Sequence, residues 1–247
     1  MITDYTNIAL FLGAAISTGV ASISAGFGEG HTAAYATKAL SRQPGSGDVM
    51  LRSMLISQAI TESGAIFALV VSLLMLFGGF LGSELDLAKA AAFLSAGIAM
   101  GFGCMGPNFG SGYAGAEACE GIGRSPSENI PITTNMLIGQ ALSQTSAIFA
   151  LVVSLLLIYT VPRMSENQEI SYQVTRAAAF LGAAIVIGLG TLGPGSGIGY
   201  VAGKANKMIA RYKGHQPLFM RTMFLGAAVT ESTAIYSLVI AFLLIFT

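Results

Sequence analysis

Charge is what this 247-residue chain has least of: twelve basic and twelve acidic side chains, 10% of the total. A soluble globular domain carries about 25%, and no long polar segment is present from which a separate soluble domain could be built. The two signs cancel to zero net charge, so no basic surface argues for nucleic acid. Tryptophan is absent and only two cysteines occur. Cys104 and Cys119 fall on one expected helix, about 22 Å apart at 1.5 Å per residue, too far to bridge; they read as small packing residues. Met1 to Tyr5 hold no basic n-region and no cleavage site follows the apolar run, so neither a removable signal nor a transit peptide is expected. What the chain does have is apolar: 53% hydrophobic residues, 31 glycines and a mean hydropathy of +0.71. That composition points to a membrane protein.

The apolar sequence repeats. ISQAITESGAIFALVVSLLM (56–75) returns as IGQALSQTSAIFALVVSLLL (138–157) and, more loosely, as LGAAVTESTAIYSLVIAFLL (225–244). Phe11-Leu12, Phe93-Leu94 and Phe180-Leu181 repeat at the same offsets, 82 and then 87 residues. So do Gly28-Glu29-Gly30, Gly110-Ser111-Gly112 and Gly197-Ile198-Gly199. The centre of each glycine motif lies 33 residues before its partner on the next helix: 29 to 62, 111 to 144, 198 to 231. Each unit reads as a Gly/Ala/Ser-rich helix, a short polar loop and an Ile/Leu/Val/Phe-rich helix. About 20 apolar residues span a bilayer, which predicts six spans near 6–37, 49–81, 87–119, 131–161, 174–209 and 217–246. The expected fold is all-α: three tandem transmembrane hairpins over 1–82, 83–163 and 164–247. The GxGxG strings lie inside apolar spans with no strand before them, so they are not nucleotide loops.

Orientation follows from the cations. Lys38, Arg42, Arg52, Arg124, Lys204, Lys207, Arg211, Lys213 and Arg221 lie toward the hairpin loops; Lys89, Arg163 and Arg176 lie on the other side. The loops are therefore expected in the cytoplasm. Two helices per repeat gives all three units the same orientation, unlike inverted-repeat transporters, and suits a ring or side-by-side packing. Polar residues gather at one depth rather than along a face, which argues against a passive channel.

Glu62 and Glu231 sit at matching positions in apolar helices. An ionised carboxylate in hydrocarbon is costly, so each must be neutral, through a proton or a bound cation, whenever it faces lipid. Glu29, on the glycine-rich helix, is level with Glu62; two facing carboxylates share a proton or a cation. Hairpin 2 carries the non-ionisable equivalents Ser111 and Gln144 and should not carry an ion by the same chemistry. Ser63, Thr145 and Ser232 follow the key position, and a hydroxyl there can ligate sodium or donate to the carboxylate. His31, where the other hairpins have Tyr113 and Tyr200, reads as a packing residue. Glu117 and Glu120, near the loop end of the third span, are expected to face water, as is His215.

The glycine-rich helix, SRQP loop (41–44) and central ES pair resemble the c subunit of rotary ATP synthases, the F-type c and V-type proteolipid family. GPGSGIGYVAGKA (193–205) and ESTAIYSLVIAFLL (231–244) are especially similar. The resemblance covers all three hairpins, with one hairpin the ordinary F-type form and fused hairpins with a lost carboxylate more typical of V-type rings. It implies a homo-oligomeric ring in membrane lipid, with glycine-rich helices inside, whose glutamates carry H+ or Na+ past a stator a subunit bearing an arginine. It implies no catalytic residue and no cofactor beyond the transported ion, and it places the protein in a bacterial plasma membrane. By the same resemblance Arg42, Gln43 and Pro44 contact the central stalk, while GRSP and ARYK keep Arg124 and Arg211 but lose the Gln-Pro pair. The family's sodium site implies roles for Glu231, Ser232, Thr233 and Tyr236 in hairpin 3, with Val229 matching and Ile198 in place of a glutamine. Hairpin 1 has Glu29 there and Phe67 at the tyrosine position, which makes Glu29 and Glu62 the candidate sodium pair and leaves hairpin 3 leaning to protons. ATP synthesis is the expected use, with an ATP-driven V/A-type pump as the alternative.

Overall fold

The computed structural model describes residues 4–81, 87–159 and 169–247. Among them all regular structure is helical, and six helical stretches are long and apolar enough to cross a membrane. Hairpin 1 is α1 (Asp4–Arg42) and α2 (Gly47–Phe77). Hairpin 2 is α3 (Leu87–Gly103), α4 (Met105–Arg124) and α5 (Asn129–Tyr159). Hairpin 3 is α6 (Ile170–Gly190), α7 (Leu192–Arg211) and α8 (Gln216–Phe246). The junctions between hairpins, and Arg163 with them, lie outside the described residues.

Proline explains why the first arm is one helix in hairpin 1 and two in the others. Pro107 and Pro194 occupy the repeat position that Ala25 holds in hairpin 1. Proline has no N–H to donate to the carbonyl four residues back and clashes with it. The breaks fall at Cys104 and Thr191, one turn before each proline. The Gly103 carbonyl, which Pro107 cannot satisfy, accepts the Thr191 hydroxyl of the neighbouring hairpin at 3.3 Å.

The glycine-rich arms pack on one another in chain order, α1 on α3 and α4, then α3 on α6 and α4 on α7. Backbones meet where side chains are missing, the usual means of close helix approach in lipid. A Cβ at Gly112 would overlap Gly28, one at Gly199 would overlap Gly110, and one at Gly97 would overlap Gly13. The first two pairs have the same register: the second glycine of one motif sits on the first glycine of the preceding hairpin. Gly30, the equivalent in hairpin 1, has open space around it.

The outer helices lie in grooves between successive inner arms. α2 sits on α1 and α4, and α5 sits on α3, α4 and α7. Among the described residues α8 packs chiefly on its own inner arm and the flank of α5, and its apolar window is 17% buried against 50% for α5. Polar clasps hold the first two hairpins shut. Ser72 donates to the Ala14 carbonyl at 2.7 Å and Ser154 to the equivalent Ala96 carbonyl at 3.0 Å. Gln58 donates to the Glu29 carbonyl at 3.2 Å and Gln140 to the equivalent Ser111 carbonyl at 2.8 Å. Hairpin 3 has Ala241 and Ala227 at those positions, so it lacks both clasps.

Candidate ion-carrying site

Each outer helix has 31 residues, and Glu62, Gln144 and Glu231 each stand at its midpoint. With the helix crossing a bilayer of about 30 Å, the midpoint is the depth at which charge costs most. The three positions have different surroundings.

Glu231 is half-buried and accepts a 2.5 Å hydrogen bond from the Thr145 hydroxyl. The donor belongs to hairpin 2 and the acceptor to hairpin 3. The same hydroxyl lies 2.7 Å from the Leu142 carbonyl of its own helix. Ile198, on the inner arm of hairpin 3, is buried and contributes no polar atom. Ser232 and Thr233, adjacent to Glu231 in sequence, turn instead to their own helix: Ser232 donates to the Val229 carbonyl at 2.7 Å and Thr233 to the Thr230 carbonyl at 2.9 Å. Tyr236 is 65% exposed.

Glu62 is exposed on the free flank of hairpin 1, and Glu29 is half-buried beside it. The two are close enough to repel when both are charged. Ser63 donates to the Ile60 carbonyl of its own helix at 2.7 Å. Phe67 is half-buried and packs against the core.

At Gln144 the position is closed. The side chain is buried, and its amide nitrogen lies 3.1 Å from the Ser111 hydroxyl and 3.5 Å from the Asn108 carbonyl oxygen. Asn108 in turn donates to Ser24 at 3.0 Å and to the Ala21 carbonyl at 3.4 Å, crossing into hairpin 1. The repeat positions of Asn108 are Gly26 and Gly195; the larger side chain fills the space in hairpin 2 alone and abuts Gly64. Ser111 and Gln144 are thus one neutral hydrogen-bonded unit.

The loop end corrects one expectation. Glu117 does not face water: it is 5% exposed, accepts from Tyr113 at 2.9 Å, and pairs with Lys207 at 3.2 Å and Lys204 at 3.8 Å. Glu120 is shared by Arg124 at 3.2 Å and Arg42 at 3.9 Å. His31, Tyr113 and Tyr200 form one stacked row along the inner arms, with ring centroids 6.4 and 5.2 Å apart. Arg42, Gln43 and Pro44 are exposed at the loop tip. Pro44 and Pro126 open equivalent short 3-10 turns, Pro44–Ser46 and Pro126–Glu128, so loop 2 keeps the proline and loses only the glutamine. Both cysteines are buried and free.

Three parallel helical hairpins, with carboxylates at mid-depth on two of them, define an integral membrane protein of the ion-translocating kind. The sequence model of the ATP synthase C subunit family matches the chain three times, over residues 12–75, 94–157 and 181–244. The chain belongs to that family, in a form that fuses three of its hairpins. An ATP synthase c subunit from Dehalococcoides mccartyi is 45% identical over 76 residues, 31% of this chain and 96% of its own length. Those of Alkaliphilus oremlandii and Mesomycoplasma hyopneumoniae are 40% identical over 84 residues and 45% over 71, covering 34% and 29% of this chain and 92% and 69% of their own.

Proposed function

We propose that this chain is a rotor-ring protein that carries one ion on Glu62, one on Glu231 and none on hairpin 2. The observation that carries the reading is the bond from Thr145 to Glu231, in which a carboxylate takes its donor from the preceding hairpin. Among the described residues no hairpin stands before hairpin 1. In a ring, hairpin 3 of a second copy would stand there, with α1 filling the groove that α8 leaves vacant and Gly30 meeting Gly197. The repeat then gives Glu62 the Ser232 hydroxyl and the Val229 carbonyl of that copy, and assigns them away from Glu231. Thr233 and Tyr236 would face the same junction.

The two carriers would differ in chemistry. Glu62, Glu29, a serine hydroxyl and a carbonyl make an all-oxygen set of the kind hard cations take, which supports sodium at the junction between copies. Glu231 has the Thr145 hydroxyl but an isoleucine on the inner arm, a poorer cage that suits a proton. A stator arginine would release either ion by pairing with the carboxylate, and the exposed Arg42, Gln43 and Pro44 would meet the central stalk. The cation excess at the loops supports a cytoplasmic location for them, in a bacterial plasma membrane.

One charge crossing 100 mV yields about 2.3 kcal/mol. Two carriers per three hairpins deliver less work per turn than three would in a ring of equal size. That ratio favours an ATP-driven pump unless the ring is enlarged; the similarity to c subunits of ATP synthases favours synthesis.

The test is carbodiimide labelling of purified rings with and without sodium. Sodium is expected to slow labelling of Glu62 and to leave Glu231 unaffected; labelling of Glu62 that sodium does not slow overturns the sodium assignment.

A further inference from the structure

The loop ends of the inner arms carry a charge pattern that the ion-carrying chemistry does not use. The acids lie on hairpin 2 and the cations face them from both sides. Arg42 of hairpin 1 reaches Glu120, and Lys204 and Lys207 of hairpin 3 reach Glu117. In repeat terms, position 35 of one hairpin meets positions 35 and 38 of the next, and position 42 meets position 38. Those positions are Tyr35, Lys38 and Arg42 in hairpin 1, Glu117, Glu120 and Arg124 in hairpin 2, and Lys204, Lys207 and Arg211 in hairpin 3.

Carried across the junction between copies, this register brings Lys204 and Arg211 of one chain onto Lys38 of the next. The place where Glu120 faces Arg42 within the chain is there taken by a lysine facing an arginine. Lys204 shares Glu117 with Lys207, and Glu120 is shared by Arg42 and Arg124, so no acid at the loop ends of the described inner arms is left to offset Lys38 and Arg211. Asp48 is on the first turn of the outer helix α2, a layer away. Each lysine lies against aromatic faces of its own chain: Lys38 is 5.5 Å from the Tyr35 ring centroid, and Lys204 is 4.8 Å from that of Tyr200 and 5.4 Å from that of Tyr113. Lysine and tyrosine together are the side chains that hold the headgroup level of a bilayer.

We propose that each junction between copies holds one anionic phospholipid at its loop end, the phosphate bridging Lys204 and Arg211 of one chain and Lys38 of the next. The lipid does there what Glu117 and Glu120 do inside the chain. This rests on the ring reading above, and the two can fail separately.

The test is native mass spectrometry of detergent-purified rings, whose mass reports assembly independently of lipid. After exchange into phosphatidylglycerol, one tightly retained lipid per chain is expected; after exchange into phosphatidylcholine, none. Phosphatidylglycerol should also raise the temperature of ring dissociation, and inorganic phosphate at equal concentration should not. K38E restores the acid that hairpin 2 has at this position. Its rings should retain no phosphatidylglycerol and should dissociate at the same temperature in both lipids; K38Q should lose retention while keeping the ring mass. Rings of the expected mass that retain no anionic lipid overturn the proposal and leave the ring reading intact. Equal retention by wild type and K38E also overturns it, as does stabilisation by inorganic phosphate alone, which would mark a site for a free anion, or by an acidic stalk segment in place of lipid. Absence of any ring sinks the parent reading instead.

Discussion

Thr145 of hairpin 2 donates its hydroxyl hydrogen to Glu231 of hairpin 3 at 2.5 Å. Two residues 86 apart in sequence thus meet at one place, and the candidate site belongs to the interface rather than to either hairpin. Replacing Thr145 by valine keeps the shape and removes the donor. A hydrogen bond to a charged group contributes about 1.5–3 kcal/mol, and a factor of ten is about 1.4 kcal/mol. T145V should therefore speed carbodiimide labelling of Glu231 at fixed pH by about tenfold or more. Glu62 labelling in the same sample should not change.

Ser232 provides the reciprocal test. In the single chain its hydroxyl serves the Val229 carbonyl beside it and no carboxylate. In the proposed ring it would be the counterpart of Thr145 for Glu62 of the next copy. S232A should weaken sodium protection of Glu62 by about tenfold, in line with one lost charge-assisted bond, and leave Glu231 labelling at the wild-type rate. An effect on Glu231 alone would return Ser232 to its neighbour in sequence.

Hairpin 2 is closed by Asn108 as well as by loss of the acid. Q144E should therefore gain no carrier: the new carboxyl is enclosed against Ser111 and Asn108, and intact-mass measurement after carbodiimide treatment should show the wild-type number of adducts per chain. Q144E combined with N108G restores the glycine of the other hairpins and should add one adduct per chain. An extra adduct in Q144E alone would show that Asn108 does not close the site.

Gly30 separates folding from assembly. No atom lies near its absent side chain within the chain, while Gly112 and Gly199 sit against the glycines of the preceding hairpin. G30L should keep wild-type helix content by circular dichroism yet fail to form rings on blue-native gels. G112L, whose side chain would meet Gly28, should lose folded protein altogether.

Much of this is legible in the sequence, because the repeat is itself a structural statement. The six spans, the mid-depth carboxylates and the proximity of Glu29 to Glu62 follow from spacing within one hairpin. What spacing within a hairpin cannot show is the register between hairpins. Ser232 reads as a neighbour of Glu231, yet the donor comes from Thr145. Glu117 reads as solvated because its partners, Lys204 and Lys207, belong to the next unit. Two further signals lie in the repeat. Aligning Gly26, Asn108 and Gly195 singles out Asn108 as the residue peculiar to hairpin 2. Aligning Ala25, Pro107 and Pro194 locates the two helix breaks, since proline disrupts the turn before it.

The central claim is that this chain has two working carriers and one silent hairpin. Carbodiimide treatment of assembled rings at mildly acidic pH without sodium, followed by peptide mapping, tests it directly. Adducts are expected on Glu62 and on Glu231 and none on hairpin 2. Modification of only one of these glutamates, or of a carboxylate of hairpin 2, would contradict it.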